Sequence, residues 1–101
     1  MIRVSVLYPR IAGKRFDVEY YKNNHIPLVK KRLRPITIEI DIGIPNEHGQ
    51  DAPYTAIGHM TFASREQLAA VFAPAAQKLR AEIPRYTDIE PITQLSEVIA
   101  L

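Results

Sequence analysis

The chain alternates between two hydrophobic periodicities, one typical of strands and the other typical of helices. Residues 2–8, IRVSVLY, place apolar side chains at every second position, as in a strand with one apolar face. Residues 36–42, ITIEIDI, and residues 54–62, YTAIGHMTF, repeat that period of two. Residues 90–101, EPITQLSEVIAL, alternate less regularly and are predicted to form a fourth strand.

Two segments between these strands have helical spacing. Asp17 offers an N-cap to VEYYKNNHIPLVKKRL, and Ser64 does the same for REQLAAVFAPAAQKLRAEI. We expect Pro74 to divide the second helix, because proline removes a backbone donor and clashes one turn back. In the first helix, one stripe holds Tyr21, His25, Leu28, Val29 and Leu33.

The resulting order, β-α-β-β-α-β, predicts a single α+β domain over residues 1–101 with a ferredoxin-like fold. Two helices are expected to cover one face of an antiparallel four-stranded sheet. The other face is predicted to be mixed, with Arg3, Ser5, Glu39, Asp41, His59 and Thr61 beside Leu7, Ile57, Leu95 and Ile99. Such a face is either solvated or covered by the same sheet of a second copy, and twofold dimers are the commonest assembly. The periodicity permits a dimer without requiring one.

Composition narrows the classes of function. The 101 residues are 47% hydrophobic and 24% charged, as in a globular domain, and the net charge of +2 is too small to indicate nucleic acid or membrane binding. The chain has no cysteine, which excludes disulfides and thiol catalysis. No apolar window reaches the roughly 20 residues of a membrane span, and the N-terminal apolar stretch is too short for a signal peptide. We therefore expect a cytoplasmic protein.

The βαββαβ order is shared with RNA-recognition motifs, which stack bases on aromatic residues of the central strands. Here the outward positions of the third strand are Ile57, His59 and Thr61, and no aromatic platform exists. RNA binding is therefore not expected. A metal site is not expected either, because His59, Glu39 and Asp41 fit a cross-strand ionic network better than any metal signature.

The sequence HIP at residues 25–27 is the first candidate for chemistry. Pro27 disfavours helical geometry at the preceding residue, so the helix is expected to bend or break between Asn23 and Pro27. If His25 ends the first helical piece, the helix dipole favours its protonated form, and the sign reverses if His25 precedes the second piece. The spacing alone favours a structural histidine that hydrogen-bonds a freed carbonyl. Tyr21, one turn earlier, shares its side of the helix, whereas Tyr20 is spaced to pack as a core aromatic.

Residues 6–33, VLYPRIAGKRFDVEYYKNNHIPLVKKRL, resemble the opening of EthD-family proteins, small dimeric α/β barrels named for a role in degrading an ether fuel additive. The shared features are a strand ending in LYP, a glycine-containing loop, FD at the helix start, paired tyrosines and H-x-P-L. The C-terminal SEV fits as well. The resemblance implies a homodimer that pairs through the sheet face. It also implies a cleft between helices and sheet for small aromatic or lactone-like molecules, lined by His25.

The resemblance favours general acid–base catalysis by His25 with Tyr21 as its partner, in a cofactor-independent isomerase, lyase or oxygenase. The expected substrate contacts are Tyr8, Tyr20, Ile38, Ile40, Met60, Phe62 and Phe72. No nucleotide, flavin or haem motif is visible, so a nicotinamide-dependent reductase is disfavoured. The alternative is a non-catalytic carrier of a small ligand, or an accessory protein of a partner oxidase in a degradation pathway. A carrier needs only shape and apolar surface, whereas an enzyme needs His25 placed to move a proton.

Overall fold

The computed structural model describes all residues, Met1–Leu101, and contains every predicted element in the predicted order. The strands are β1 (Ile2–Pro9), β2 (Thr37–Ile42), β3 (Tyr54–Phe62) and β4 (Ile92–Glu97). Helix α1 consists of a helical turn at Val18–Tyr20, a π-helical turn at Tyr21–His25 and an α-helix at Ile26–Leu33. Helix α2 is Arg65–Glu82, and a 3₁₀ turn, Ile83–Arg85, follows it. None of the helices has the combination of length and apolar character that a membrane crossing needs.

The four strands form one antiparallel sheet in the order β2-β3-β1-β4, which confirms the ferredoxin-like α+β fold. The register of β1 sets the two faces: Val4 lies opposite Met60 of β3 and Leu95 of β4, all on the side of the helices. The prediction that Leu95 belongs to the open face was therefore wrong. Ile92 is the apolar β4 residue that lies there, opposite Leu7.

Both predicted helix caps are present. The Asp17 carboxylate accepts the backbone N–H of Tyr20 at 3.0 Å, and the Ser64 hydroxyl accepts that of Gln67 at 3.1 Å. The predicted division of α2 at Pro74 is wrong, because the helix continues through that residue. Pro74 and Ala70 are both exposed, so the carbonyl that loses its donor can be hydrated instead.

Two buried clusters hold the helices on the sheet. An aliphatic cluster at one end consists of Val4, Val29, Leu33, Met60, Phe62, Ala75 and Leu79. A largely aromatic cluster at the other end consists of Tyr8, Tyr21, Ala56, Tyr86 and Ile89. Val6 packs against both clusters. Residues of both clusters also line the cavity between the helices and the sheet.

Candidate ligand cavity

The π-helical turn in α1 decides which side chains face the sheet. The N–H of Ile26 donates to the carbonyl of Tyr21, an i→i−5 bond, instead of to the residue four positions back. The buried residues of this helix, Tyr21, His25, Val29 and Leu33, are each four apart. In a regular α-helix each such step would rotate the side chain by about 40° around the axis. The wider turn takes up part of that rotation and keeps the four side chains on one side.

The helix was expected to bend or break between Asn23 and Pro27; it does not break, since the chain stays helical across residues 18–33, and a π-helical turn stands at this place instead. Pro27 lies at the first turn of the segment Ile26–Leu33, directly after the π turn. Its missing N–H thus falls where the hydrogen-bond spacing changes, at a position where proline is tolerated. Turns of this kind occur often at functional sites.

A cavity of about 370 Å³ lies between the two helices and the sheet. Fourteen of its 20 lining residues are hydrophobic, and the volume falls within the usual range of small-ligand sites. The apolar walls come from β1, α1, β2, β3, α2 and the 3₁₀ turn after it: Val4, Val6, Ile26, Val29, Leu33, Ile38, Met60, Leu68, Phe72, Ala76, Leu79 and Ile83. Polar atoms come mainly from Tyr8, Tyr21, His25, Arg80, Glu90 and Thr93.

Six of the nine predicted site residues line this cavity: Tyr8, Tyr21, His25, Ile38, Met60 and Phe72. The other three lie outside the lining. Tyr20 stacks on Tyr86, with ring centroids 6.4 Å apart, Ile40 packs against the aromatic cluster, and Phe62 is fully buried in the aliphatic cluster. Phe16 and Tyr20 both pack against Tyr86.

His25 is buried, and its imidazole packs against two aromatic rings that also pack against each other. The centroid of its ring lies 5.8 Å from that of Tyr21, nearly parallel to it, and 4.7 Å from that of Tyr86. Its Nδ1 is the one buried side-chain polar atom in the chain that has no hydrogen-bond partner. The predicted hydrogen bond to a freed helix carbonyl is therefore absent.

Burial lowers the pKa of His25 from 6.5 to about 4. The imidazole is therefore neutral near pH 7, with one nitrogen able to donate and the other able to accept. Because the helix continues through His25, neither of the two helix-dipole effects considered above applies, and desolvation accounts for the lowered pKa. A neutral imidazole in an apolar cavity is suited to accepting a proton from a bound molecule.

The tyrosines beside His25 are held in their neutral form. Burial raises the pKa of Tyr8, Tyr21 and Tyr86 above the ordinary value. The hydroxyl groups of Tyr8 and Tyr86 are hydrogen-bonded to each other at 2.6 Å. The hydroxyl of Tyr21 has no partner within the chain and lies against Gly58 of β3, which also lines the cavity. Tyr21 therefore remains free to donate to a ligand.

Sequence reasoning missed two residues next to His25. Tyr86 follows the 3₁₀ turn in a stretch without hydrophobic periodicity, and Glu82 looks like an exposed residue at the end of α2. Both reach His25 only because the C-terminal end of α2 packs beside α1. The pairing of Phe16 with Thr87 in an isolated β-bridge holds the segment after α2 in place. No local sequence pattern predicts these contacts.

The open face of the sheet carries a hydrogen-bonded chain of three side chains. The Ser5 hydroxyl is 2.9 Å from His59 Nδ1, and His59 Nε2 is 3.0 Å from an oxygen of Asp41. His59 therefore pairs with one of the two expected carboxylates, that of Asp41. Glu39 lies opposite His59 in the register but forms no ion pair, and Arg3 pairs across to Thr61 and Ser96.

Comparison with known proteins agrees with this fold. The EthD domain profile matches residues 13–90. The chain belongs to the EthD family. An EthD-like protein from Ralstonia eutropha JMP134 is 32% identical, with a TM-score of 0.92 over 98% of this chain and 92% of that one.

More distant EthD and monooxygenase structures share the fold. An EthD-family protein from Bacillus halodurans C-125 is 17% identical, with a TM-score of 0.71 over 98% of this chain and 99% of that one. A putative monooxygenase from Shewanella loihica PV-4 is also 17% identical, with a TM-score of 0.51 over 100% and 99% of the two chains. No curated protein gives a significant match.

Proposed function

We propose that this EthD protein binds a small, mainly apolar molecule in the cavity between helices and sheet, and that His25 moves a proton on the bound molecule. The observation that supports this proposal most is the neutral imidazole of His25, which lines the cavity and forms no hydrogen bond within the chain. A buried polar atom without a hydrogen bond costs about 1–3 kcal/mol. A polar group kept without a partner beside a cavity calls for an explanation, and a role in binding or catalysis is one.

In the proposed reaction His25 acts as a general base, and the Tyr21 hydroxyl donates a hydrogen bond to an oxygen of the substrate. The base removes a proton from oxygen or from carbon, and the phenol stabilises the negative charge that develops on the substrate oxygen. The apolar walls fit a small aromatic or cyclic body. Proton transfer of this kind serves isomerases, lyases and oxygenase-like enzymes that need no cofactor.

The second candidate is a non-catalytic carrier, an accessory protein that holds a reactive intermediate for a partner oxidase. The largely apolar lining favours it, because shape and apolar area are sufficient for binding. The two candidates share the cavity and differ only in whether His25 exchanges a proton with the ligand.

A two-stage experiment separates them. Small phenols, quinones and lactones are screened for a rise in the melting temperature of the wild type, since binding to the native state stabilises it. Compounds that bind are then incubated with the protein in D₂O, and deuterium at carbon is measured by mass spectrometry. Catalysis by His25 predicts that the wild type and His48→Gln, a variant of an exposed histidine, introduce deuterium and that His25→Gln does not. Binding without deuterium exchange or product formation would support the carrier instead.

We also propose that the open sheet face pairs with a second copy of the chain. Ile57, Leu7 and Ile92 lie side by side on β3, β1 and β4, and together form an apolar row across three strands. Ile92 is 53% exposed. Next to this row the polar groups of Ser5, His59 and Asp41 already satisfy one another. Covering this face would bury this apolar row while the hydrogen bonds among Ser5, His59 and Asp41 stay in place.

A further inference from the structure

Glu82 is the acidic residue nearest to His25, and the function proposed above gives it no part. One carboxylate oxygen, Oε1, lies 3.9 Å from His25 Nδ1, and the other, Oε2, lies 3.9 Å from Arg85 Nε. The Glu82 side chain is only 16% exposed. A carboxylate that is largely removed from water beside a buried imidazole interacts with it more strongly than a surface pair would.

The surroundings of His25 leave its two nitrogens with different neighbours. The rings of Tyr21 and Tyr86 pack on the imidazole, and Nδ1 points towards Glu82. Nε2 makes no hydrogen bond within the chain, and it is not among the buried unpartnered atoms. Since His25 lines the cavity, Nε2 is the nitrogen that a ligand can reach. The other charged residues of the lining, Arg80 and Glu90, form no ion pair with the imidazole.

We infer that Glu82 is a positioning residue that holds His25 in the tautomer with its proton on Nδ1, so that the lone pair of Nε2 faces the ligand. At 3.9 Å the contact is longer than a hydrogen bond, so the inferred bond requires the Glu82 side chain to rotate towards Nδ1 and shorten the distance to about 2.9 Å. The carboxylate then orients the imidazole and fixes its tautomer, as the aspartate does in a catalytic triad.

The inference rests on the proposed function and makes it more specific. With its lone pair in the cavity, His25 receives a proton and does not supply one in the first step. The bound molecule must therefore present a donor to Nε2: a phenol, an enol or an acidic C–H next to a carbonyl. The hydroxyl of Tyr21 supplies the complementary donor for an oxygen of the same molecule. Ligands that carry only hydrogen-bond acceptors would bind poorly at this end of the cavity.

The tautomer can be read directly by NMR on the ligand-free protein labelled with ¹⁵N-histidine. The chain has three histidines, and His48→Gln and His25→Gln variants assign their signals. At pH 7 the wild type is expected to show His25 protonated on Nδ1 only. Glu82→Ala removes the acceptor, so a substantial fraction of His25 should move its proton to Nε2. Glu82→Gln keeps an acceptor oxygen and should restore the wild-type spectrum, while Glu90→Ala, a change elsewhere in the cavity lining, should leave it unchanged.

Two results would overturn the inference: a wild-type His25 with its proton on Nε2, or an unaltered tautomer in Glu82→Ala. The wild-type spectrum decides even if the alanine variant fails to fold. The experiment needs no ligand, so its outcome is separate from that of the proposed function. A protein that shows the expected tautomer but binds no compound and exchanges no proton would keep the role of Glu82 and lose the proposed function.

Discussion

The hydroxyl of Tyr21 lies against the backbone of Gly58, so closely that a Cβ at position 58 would be 2.7 Å from the hydroxyl oxygen. A glycine in the middle of β3 is therefore what admits the tyrosine ring between helix and sheet. Gly58→Ala should push the Tyr21 hydroxyl out of its place and reduce the free energy of unfolding by about 1–3 kcal/mol, the usual cost of overpacking. Urea denaturation measures this change.

A double-mutant cycle tests the cause. Tyr21→Phe removes the oxygen that the new Cβ would meet, so Gly58→Ala should cost less in the Tyr21→Phe background than in the wild type. An equal cost in both backgrounds would show that the loss arises from the strand backbone and not from the tyrosine.

The hydrogen bond between Tyr8 and Tyr86, 2.6 Å long and fully buried, gives a second prediction. Tyr86→Phe leaves the Tyr8 hydroxyl without a partner and should reduce the free energy of unfolding by about 1–3 kcal/mol. Tyr8→Phe combined with Tyr86→Phe removes both polar groups and should cost clearly less than the sum of the single changes. Tyr54→Phe, at the start of β3, serves as the control and should have little effect. Strictly additive costs would contradict a shared hydrogen bond.

The lowered pKa of His25 predicts how stability depends on pH. Between the folded value of about 4 and the unfolded value of 6.5, the unfolded chain binds more protons at this residue. The free energy of unfolding should therefore fall as the pH is lowered through this window, by about 3 kcal/mol from this residue alone. Urea denaturation from pH 7 to pH 4.5 measures the slope.

The His25 contribution is isolated by comparing variants. His25→Gln should lose most of this dependence on pH, because the glutamine side chain does not titrate. His48→Gln, at an exposed site, should retain the wild-type slope. If the wild type and His25→Gln showed the same dependence on pH, His25 would not be buried in its neutral form.

The apolar row on the open sheet face predicts the state of assembly. Leu7→Lys introduces a charge between Ile57 and Ile92 and should convert the proposed dimer to a monomer that keeps its circular dichroism spectrum. Gln77→Lys, on the exposed side of α2, is the matched control and should remain dimeric. Sedimentation at several concentrations gives the masses, and a monomeric wild type would refute the pairing of these faces.

The sequence was sufficient for the fold because each strand and helix has a strong periodicity of its own. Asp17 and Ser64 mark the helix starts correctly for the same local reason. Leu95 was placed on the wrong face because the alternation in β4 is weak, and only pairing with Val4 fixes its direction. The division of α2 at Pro74 was predicted wrongly, because a proline on an exposed helix face can be accommodated when water hydrates the carbonyl that loses its donor.

Only the part of the site that lies within one helix was predictable from the sequence. Tyr21 and His25 are on one helix, and their shared side follows from their spacing, although the sequence indicates a bend or break here and not the π turn that preserves this side. Glu82 and Tyr86 approach His25 from another part of the chain, through the packing of α2 and the segment after it. Contacts between distant segments depend on the whole fold, and no pattern of neighbouring residues encodes them.

The central claim is that His25 contacts the ligand in the cavity, and calorimetric titration of the best compound from the screen tests it most directly. The affinity of wild type, His25→Gln and His59→Gln is measured at pH 7, with folding of each variant checked by circular dichroism. The account predicts that His25→Gln weakens binding at least about tenfold, which corresponds to about 1.4 kcal/mol, and that His59→Gln on the open sheet face changes it little. Equal affinity for wild type and His25→Gln would show that the imidazole does not contact the ligand.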